Sequence, residues 1–423
     1  MKLSRMLHQQ KTPLPRTFVT IWIAVIAALV VSGAYFMFER LASGLDVANA
    51  TNLIPWGLWV SVYIWFAGLA GGLYLVSALT YLLRIDRFAP IARLALGGSI
   101  VSLIVSMIFI GIDLGALRHS PNTLLFFHWS SPLAWEIKAY IFFMIVAVAQ
   151  LVLVIRSDHV DAQKQGNANL IIRVLAGVGV ATSFVGPPGG TGMFFAAVKA
   201  RGLWEGGITS VLFYVMAVVC AAAFLLVVYS ALCKLRGRVA QKKTQRGLAT
   251  VFAVALFAQA FVAFFQFAPM VLSSDARSLA AADVLLSGWL APVFWAGEIG
   301  LGFIVPIVLI AFGIAQKRIG FWIAAAVSAM AGVLALRYGF VIAGFSAPIL
   351  EGYPIAQYAP SLNEWMVCAF ILGIGLALFS IALRYLPLEK QGASEGYPDG
   401  APIESNATTD CTDGKEARDG AAV

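Results

Sequence analysis

Seven side chains in this sequence can exchange protons or form hydrogen bonds where such groups are costly: Asp113, His128, Glu136, Lys138, Glu298, Arg337 and Glu364. All lie in or beside long apolar runs, and an ionisable group inside a membrane span is a functional candidate by default. Asp113 closes the run FIGIDLGAL, at a helix end whose dipole disfavours an acid, so helix capping does not explain it. His128 follows in a loop beside Phe126, Phe127 and Trp129, and imidazole titrates near neutral pH. Glu136 and Lys138 open the next run two residues apart, so they do not share a helix face and at least one points into a bundle. Glu298 sits about eight residues into a later run, and Arg337 about 17 residues into the one after. Arg337 suits a counter-ion for Glu298 or Asp113 as well as it suits a ligand contact. Glu364 begins the last run, where the helix dipole favours an acid.

Ten apolar runs position these groups: 17–38, 55–83, 90–112, 133–155, 169–187, 206–233, 247–272, 290–313, 320–346 and 364–386. A bilayer core needs about 20 apolar residues per helix. Helices are the default there because every backbone polar group needs an internal partner. A β-barrel would show alternating segments of about ten residues, and none is present. The expected fold is therefore an all-α integral membrane protein of about ten transmembrane helices. Composition agrees: the 423 residues are 60% hydrophobic and 12% charged. Soluble proteins carry roughly 25% charged residues.

The net charge of +8 would suit nucleic acid, but the basic residues sort by loop. With the N-terminus in the cytoplasm, inside segments hold 22 Lys and Arg and outside segments hold five. That bias predicts both termini inside and sets nucleic-acid binding aside. The seven polar groups then gather in one outer layer. The inner halves of the spans look sparsely polar, which argues against a long proton wire.

The expected organisation is a basic cytoplasmic tail (1–16), a transmembrane domain (17–386) and a disordered cytoplasmic tail (387–423). The last is polar and acid-biased, with eight Asp and Glu against three Lys and Arg in 388–423. The first run exceeds the apolar length of a cleavable signal peptide and is expected to stay as a span. The segment 186–207, GPPGGTGMFFAAVKARGLWEGG, lacks the Lys-Ser/Thr ending of a phosphate loop and reads as an irregular extracytoplasmic loop. Trp56 and Trp59 read first as aromatic-belt residues, and GLAGGLYL as a close-packing stripe. Cys220, Cys233, Cys368 and Cys411 are scattered without metal-ligand spacing. His8, His119, His128 and His159 all fall in tails or loops, so no span carries an axial haem ligand. The protein is thus expected to hold no haem or metal. If it handles electrons, a quinone must pass them to a redox centre in another subunit.

Several stretches carry a resemblance: PWGLWVSVYIWFAGLAGGLYL at 55–75, GIDLG at 111–115, HWSSPLAWE at 128–136 and TGMFFAAVKARGLW at 191–204. FWAGEIGLGFIVP at 294–306, RYGFVIAG at 337–344 and the stretch Tyr358–Glu364 complete the set. In order and spacing they resemble the NrfD/PsrC family over about residues 15–386. The resemblance implies a multi-pass inner-membrane subunit of a respiratory oxidoreductase complex, outside the catalytic centre. It would exchange electrons between a quinone pool (menaquinone or ubiquinone) and an extrinsic [4Fe–4S] ferredoxin-like subunit on the extracytoplasmic side. A catalytic, molybdopterin-type subunit would complete the complex. Carried onto this sequence, His128 and Asp113 would hydrogen-bond the quinone oxygens, and Glu136 would accept or donate a proton. Lys138 and Trp56 join the quinone-binding set, with Glu298 and Arg337 as a second polar cluster. Ten spans suit the longer, hydrogenase-type members. The rival expectation is a secondary transporter or ion-translocating protein, which would bury its charges near the midplane.

Overall fold

The computed structural model describes residues 14–126, 128–159, 162–348 and 354–389. Its regular elements are all helical among these residues: α1 (Arg16–Ser43), α2 (Leu58–Tyr81), α3 (Ala89–Asp113), α4 (Pro132–Ser157), α5 (Ala162–Val185) and α6 (Gly189–Ala196). They continue with α7 (Gly207–Leu235), α8 (Lys242–Val271), α9 (Ala276–Leu286), α10 (Val293–Gln316), α11 (Ile319–Ser346) and α12 (Leu362–Tyr385). Among the described residues ten helices are long and apolar enough to cross a membrane, α5 and α6 together making one of them. The predicted fold class and span count therefore hold.

The small-residue stripe places α2 at the centre. Of its most apolar window, 78% is buried, against 11% for α1. A Cβ on Gly72 would lie 2.0 Å from the Ala217 carbonyl of α7, and one on Gly71 would lie 2.2 Å from the Pro187 carbonyl. Without side chains there, α2 meets α7 and the α5–α6 turn backbone to backbone, gaining dispersion contacts that lipid cannot match. α3 lies along another side of α2, and α4 packs on α3 and α5. α1 and α12 pair with each other at the edge of the bundle, where the Trp22 indole donates to Ser380 Oγ at 2.9 Å. The first 12 residues of α10, Val293–Ile304, are wound as a π-helix whose Gly302 meets Gly332 of α11.

The sequence expectations need two changes. The segment 186–207 is not simply an irregular outer loop: its first part is α6, with Gly189, Gly190, Thr191, Gly192 and Phe195 buried. Glycine at these positions lets the short helix seat tightly, since a Cβ on Gly190 would reach to 2.0 Å of the Val185 carbonyl. The C-terminal end also stays packed further than the boundary at 387 suggests. Leu388 is buried against Gly97, and Glu389 pairs with Arg236 at 2.6 Å. Residues 1–13 and 390–423 of the expected tails lie outside the described residues.

Candidate functional site

A cleft opens at the end of the bundle where α3 stops and α4 starts. Counted out to its open mouth, it holds about 620 Å³ of space. Asp113 and Glu136 supply its charge, and Trp56, Tyr63, Tyr140 and Phe194 are among its aromatic walls.

Helix α4 delivers Glu136. Ser131 caps its start by accepting from the Ala134 amide, and Pro132 follows where a missing N–H costs nothing. Glu136, Tyr140, Phe143, Ala147 and Gln150 then recur at three- and four-residue spacing along the buried face. Glu136 is 2% exposed. Its Oε1 accepts from Thr191 Oγ1 at 2.7 Å, Tyr140 OH at 2.9 Å and Tyr63 OH at 3.3 Å. Tyr140 and Thr191 are also 2.6 Å apart. With one proton each, these two cannot both donate to the carboxylate and to each other. The other carboxylate oxygen, Oε2, is buried with no partner among the described residues. A carboxyl group fixed at one oxygen and unsatisfied at the other is poised to give, take or share a proton with a bound molecule.

Asp113 is held differently. Beyond it the backbone leaves the helix, and the terminal carbonyls need donors from elsewhere. Arg40 of α1 supplies them. It is 1% exposed and donates from Nε to the Ile112 carbonyl at 2.9 Å and from Nη2 to the Leu114 carbonyl at 2.9 Å. The same guanidinium lies 5.7 Å from the Trp59 ring centre. Arg40 acts attractively on the Asp113 carboxylate, and Glu364 acts on it repulsively. Glu364 itself is committed to structure. It closes a capping box with Ser361, accepts from the Asn49 amide at 3.1 Å and takes the Tyr358 hydroxyl proton bond. Burial and the nearby carboxylate push the Tyr358 phenol well above its usual pKa, so it stays a donor. Replacing Arg40 by methionine should lower the thermal unfolding midpoint in detergent. Each stranded carbonyl costs about 1–3 kcal/mol. An unshifted midpoint would mean that the α3 end does not depend on Arg40.

Of the residues proposed from sequence, Trp56, Asp113 and Glu136 come together in the cleft. Trp56 is more than a belt residue: its ring packs on Phe345 at 5.3 Å, Phe194 at 5.5 Å and Trp204 at 6.3 Å. His128 is exposed, bonds Ser130 Oγ at 2.9 Å and does not line the cleft. Lys138 reaches the Thr123 carbonyl at 3.2 Å, also away from the lining. Glu298 and Arg337 are both buried but form no ion pair with each other among the described residues. Glu298 lies in the π-helical part of α10. Arg337 sits over the Phe213 ring at 3.8 Å, with Tyr63, Tyr140 and Cys220 as its titratable neighbours. The second polar cluster expected from sequence therefore splits, because the face of α11 that carries Arg337 turns to α2 and α7 rather than α10.

Sequence reading missed Tyr63, Tyr140, Thr191 and Arg40. Tyr140 had a signal, standing four residues beyond Glu136 on one helix face. Thr191 was hidden in the segment read as a loop, and Arg40 was counted as a loop cation.

These features define a class: a multi-pass all-α membrane protein with a partly apolar cleft and two carboxylates at one end. The family model described as "Polysulphide reductase, NrfD" matches residues 46–348, and the chain belongs to that family. The match takes in eight of the ten spans and leaves α1 and α12 outside. The protein is similar to a selenate reductase subunit of Mesobacillus selenatarsenatis, with 27% identity over 87% of its own length and 94% of that relative's. It is 23% identical to the Hdr-like menaquinol oxidoreductase integral membrane subunit of Archaeoglobus fulgidus, over 88% and 94%. A polysulfide reductase polypeptide of Wolinella succinogenes is 24% identical over 69% of the present sequence and 95% of its own.

Proposed function

We propose that the cleft binds the head of a quinone or quinol and that Glu136 exchanges a proton with it. The observation that carries this reading is that Glu136 lines the cleft with its Oε2 buried and unpartnered among the described residues. Asp113 faces the same space and offers a second acceptor, while the aromatic wall around Trp56 suits a flat ring. The relative named as a menaquinol oxidoreductase subunit supports the substrate class, and the relatives named for reductases support a catalytic partner.

On this reading the protein is the quinone-interacting membrane subunit of an oxidoreductase complex in the cytoplasmic membrane, with both termini inside. Electrons pass between the cleft and an extrinsic iron–sulfur subunit docked at the cleft end, on the extracytoplasmic side, and on to a molybdopterin-type catalytic subunit. Oxidising a quinol frees two electrons and two protons; Glu136 takes one proton and Asp113 the other. His128 and Lys138 are not among the residues that line the cleft, so their part is secondary.

The test is titration of the purified complex with the fluorescent quinol analogue heptyl-hydroxyquinoline N-oxide. Saturable quenching that menaquinol reverses is expected. Trp56→Ala should weaken that binding about two- to tenfold, from the ~0.5–1.5 kcal/mol of a lost aromatic contact. Quenching that neither saturates nor competes with menaquinol would remove the quinone reading.

A further inference from the structure

We propose that the acidic segment 390–414 of this chain lies across the cationic turn between α7 and α8, at the end of the bundle away from the cleft. This surface is separate from the cleft and does not depend on the quinone reading.

The turn stands where three parts of the chain meet. α2 lines the cleft near its start with Val60 and Tyr63 and ends at Tyr81, and α3 runs back to Asp113, so the turn between them is at the far end. The α7–α8 turn packs on it: Thr244 Oγ1 donates to the Arg87 carbonyl at 2.8 Å, and a Cβ on Gly247 would stand 3.1 Å from the Phe88 ring. The chain beyond α12 arrives at the same place as a strap. Leu388 is buried, and a Cβ on Gly97 would lie 2.9 Å from its Cδ1. Glu389 then sets Oε2 between two guanidiniums, 2.6 Å from Arg236 Nη1 and 3.5 Å from Arg238 Nη1. The Arg236 side chain is 6% exposed, and its Nε is buried with no partner among the described residues.

The turn carries charge of one sign. Residues 234–246 hold six cations, Lys234, Arg236, Arg238, Lys242, Lys243 and Arg246, and no Asp or Glu. Among the described residues Glu389 is the only acid in an ion pair with any of them. Lys234, Lys242, Lys243 and Arg246 are exposed. Lys242 and Lys243 also open α8, where the helix dipole disfavours cations. The segment after the strap has the opposite sign. From 391 to 414 there are five acids, Glu395, Asp399, Glu404, Asp410 and Asp413, and no Lys or Arg. With Glu389 the acids number six, equal to the six cations of the turn. The reach is sufficient. Glu395 follows Glu389 by six residues, up to about 20 Å of extended chain, whereas Lys242 is four residues past Arg238, no more than about 14 Å away.

Cations in such turns ordinarily face anionic lipid headgroups. A headgroup carries its charge singly and exchanges freely. The segment carries five acids on one chain that a buried ion pair has already fixed beside the turn, so each weak surface pair adds to the next. The tail thereby neutralises this face and keeps other polyanions from it.

The experiment treats the full-length protein with a water-soluble carbodiimide, which joins carboxylates to amines in contact with them. The protein is held in nanodiscs of phosphatidylcholine alone, or of phosphatidylcholine and phosphatidylglycerol in equal parts. Mass spectrometry of the digest should find Glu395 or Asp399 joined to Lys242 or Lys243 in both lipids. The yield should fall about fivefold or more between about 0.01 M and about 1 M salt, as the Debye length shrinks from about 30 to about 3 Å. Arg238→Gln with Arg246→Gln keeps every lysine and the buried Arg236 pair, and should lower the yield at low salt about two- to fivefold. Absence of these crosslinks at low salt in phosphatidylcholine would overturn the proposal. Crosslinks that vanish when phosphatidylglycerol is present would overturn it too, assigning the face to lipid headgroups. An equal mixture with isotope-labelled chain covers the remaining case: crosslinks found only between labelled and unlabelled peptides would place the segment on a second copy instead.

Discussion

Glu136→Gln should lower quinol-dependent turnover by about 10²–10⁴-fold, the usual worth of a positioned acid or base, while the quinol analogue still binds. The reason lies in the two unlike oxygens of this carboxylate. Oε1 is held by Thr191, Tyr140 and Tyr63, and a glutamine carbonyl accepts from the same three hydroxyls. The amide nitrogen then takes the place of Oε2, where it can donate to a quinone oxygen but cannot take up a proton. Binding and assembly survive, and proton exchange does not. Glu136→Leu is the contrasting change. It removes the shared acceptor of three buried hydroxyls, of which only Tyr140 and Thr191 can still bond each other; at about 1–3 kcal/mol for each unsatisfied group it should lower the unfolding midpoint as well as turnover. Turnover near wild type in Glu136→Gln would show that the proton leaves by another group, with Asp113 next to be tested.

The architecture was legible because bilayer physics leaves few choices: ten apolar runs became ten spans among the described residues, with ends shifted by at most nine residues. The site was legible in part. Asp113 and Glu136 could be picked out because a carboxylate in an apolar run needs a reason. Which charges would meet was not legible, since that depends on the rotation of each helix. Arg337 and Glu298 occupy neighbouring spans, yet Arg337 turns to Phe213 and Gly68. Arg40 looked like a loop cation because it ends an apolar run, but α1 leans on α12 so that it reaches the end of α3. The neutral groups were invisible for a different reason. A tyrosine in a span carries no charge to flag it, and Tyr63 gains meaning only once it is seen to bond Glu136.

Gly71→Ala should cost about 10²-fold in turnover and about 1–3 kcal/mol in stability, although Gly71 does not line the cleft. A Cβ there would stand 2.2 Å from the Pro187 carbonyl and 2.5 Å from Pro188 Cδ. Neither is the tip of a flexible side chain, so the whole α5–α6 turn has to move. That turn carries α6, which holds Thr191 at 2.7 Å from Glu136 and sets Phe194 and Phe195 in the cleft wall. A displacement of about 1 Å breaks the Thr191 bond and lets the carboxylate swing, which is the scale of misplacement that costs such a factor. The control is Gly111→Ala on α3, two residues from Asp113, where an added Cβ meets nothing within 4 Å. It should leave turnover, analogue affinity and unfolding midpoint unchanged. If the two variants behave alike, the close approach of α2 to the turn is not what aligns Glu136, and α4 alone must position it. If they differ as expected, the glycine stripe of α2 is part of the site, because only a helix without side chains there lets the turn seat Thr191 against the carboxylate.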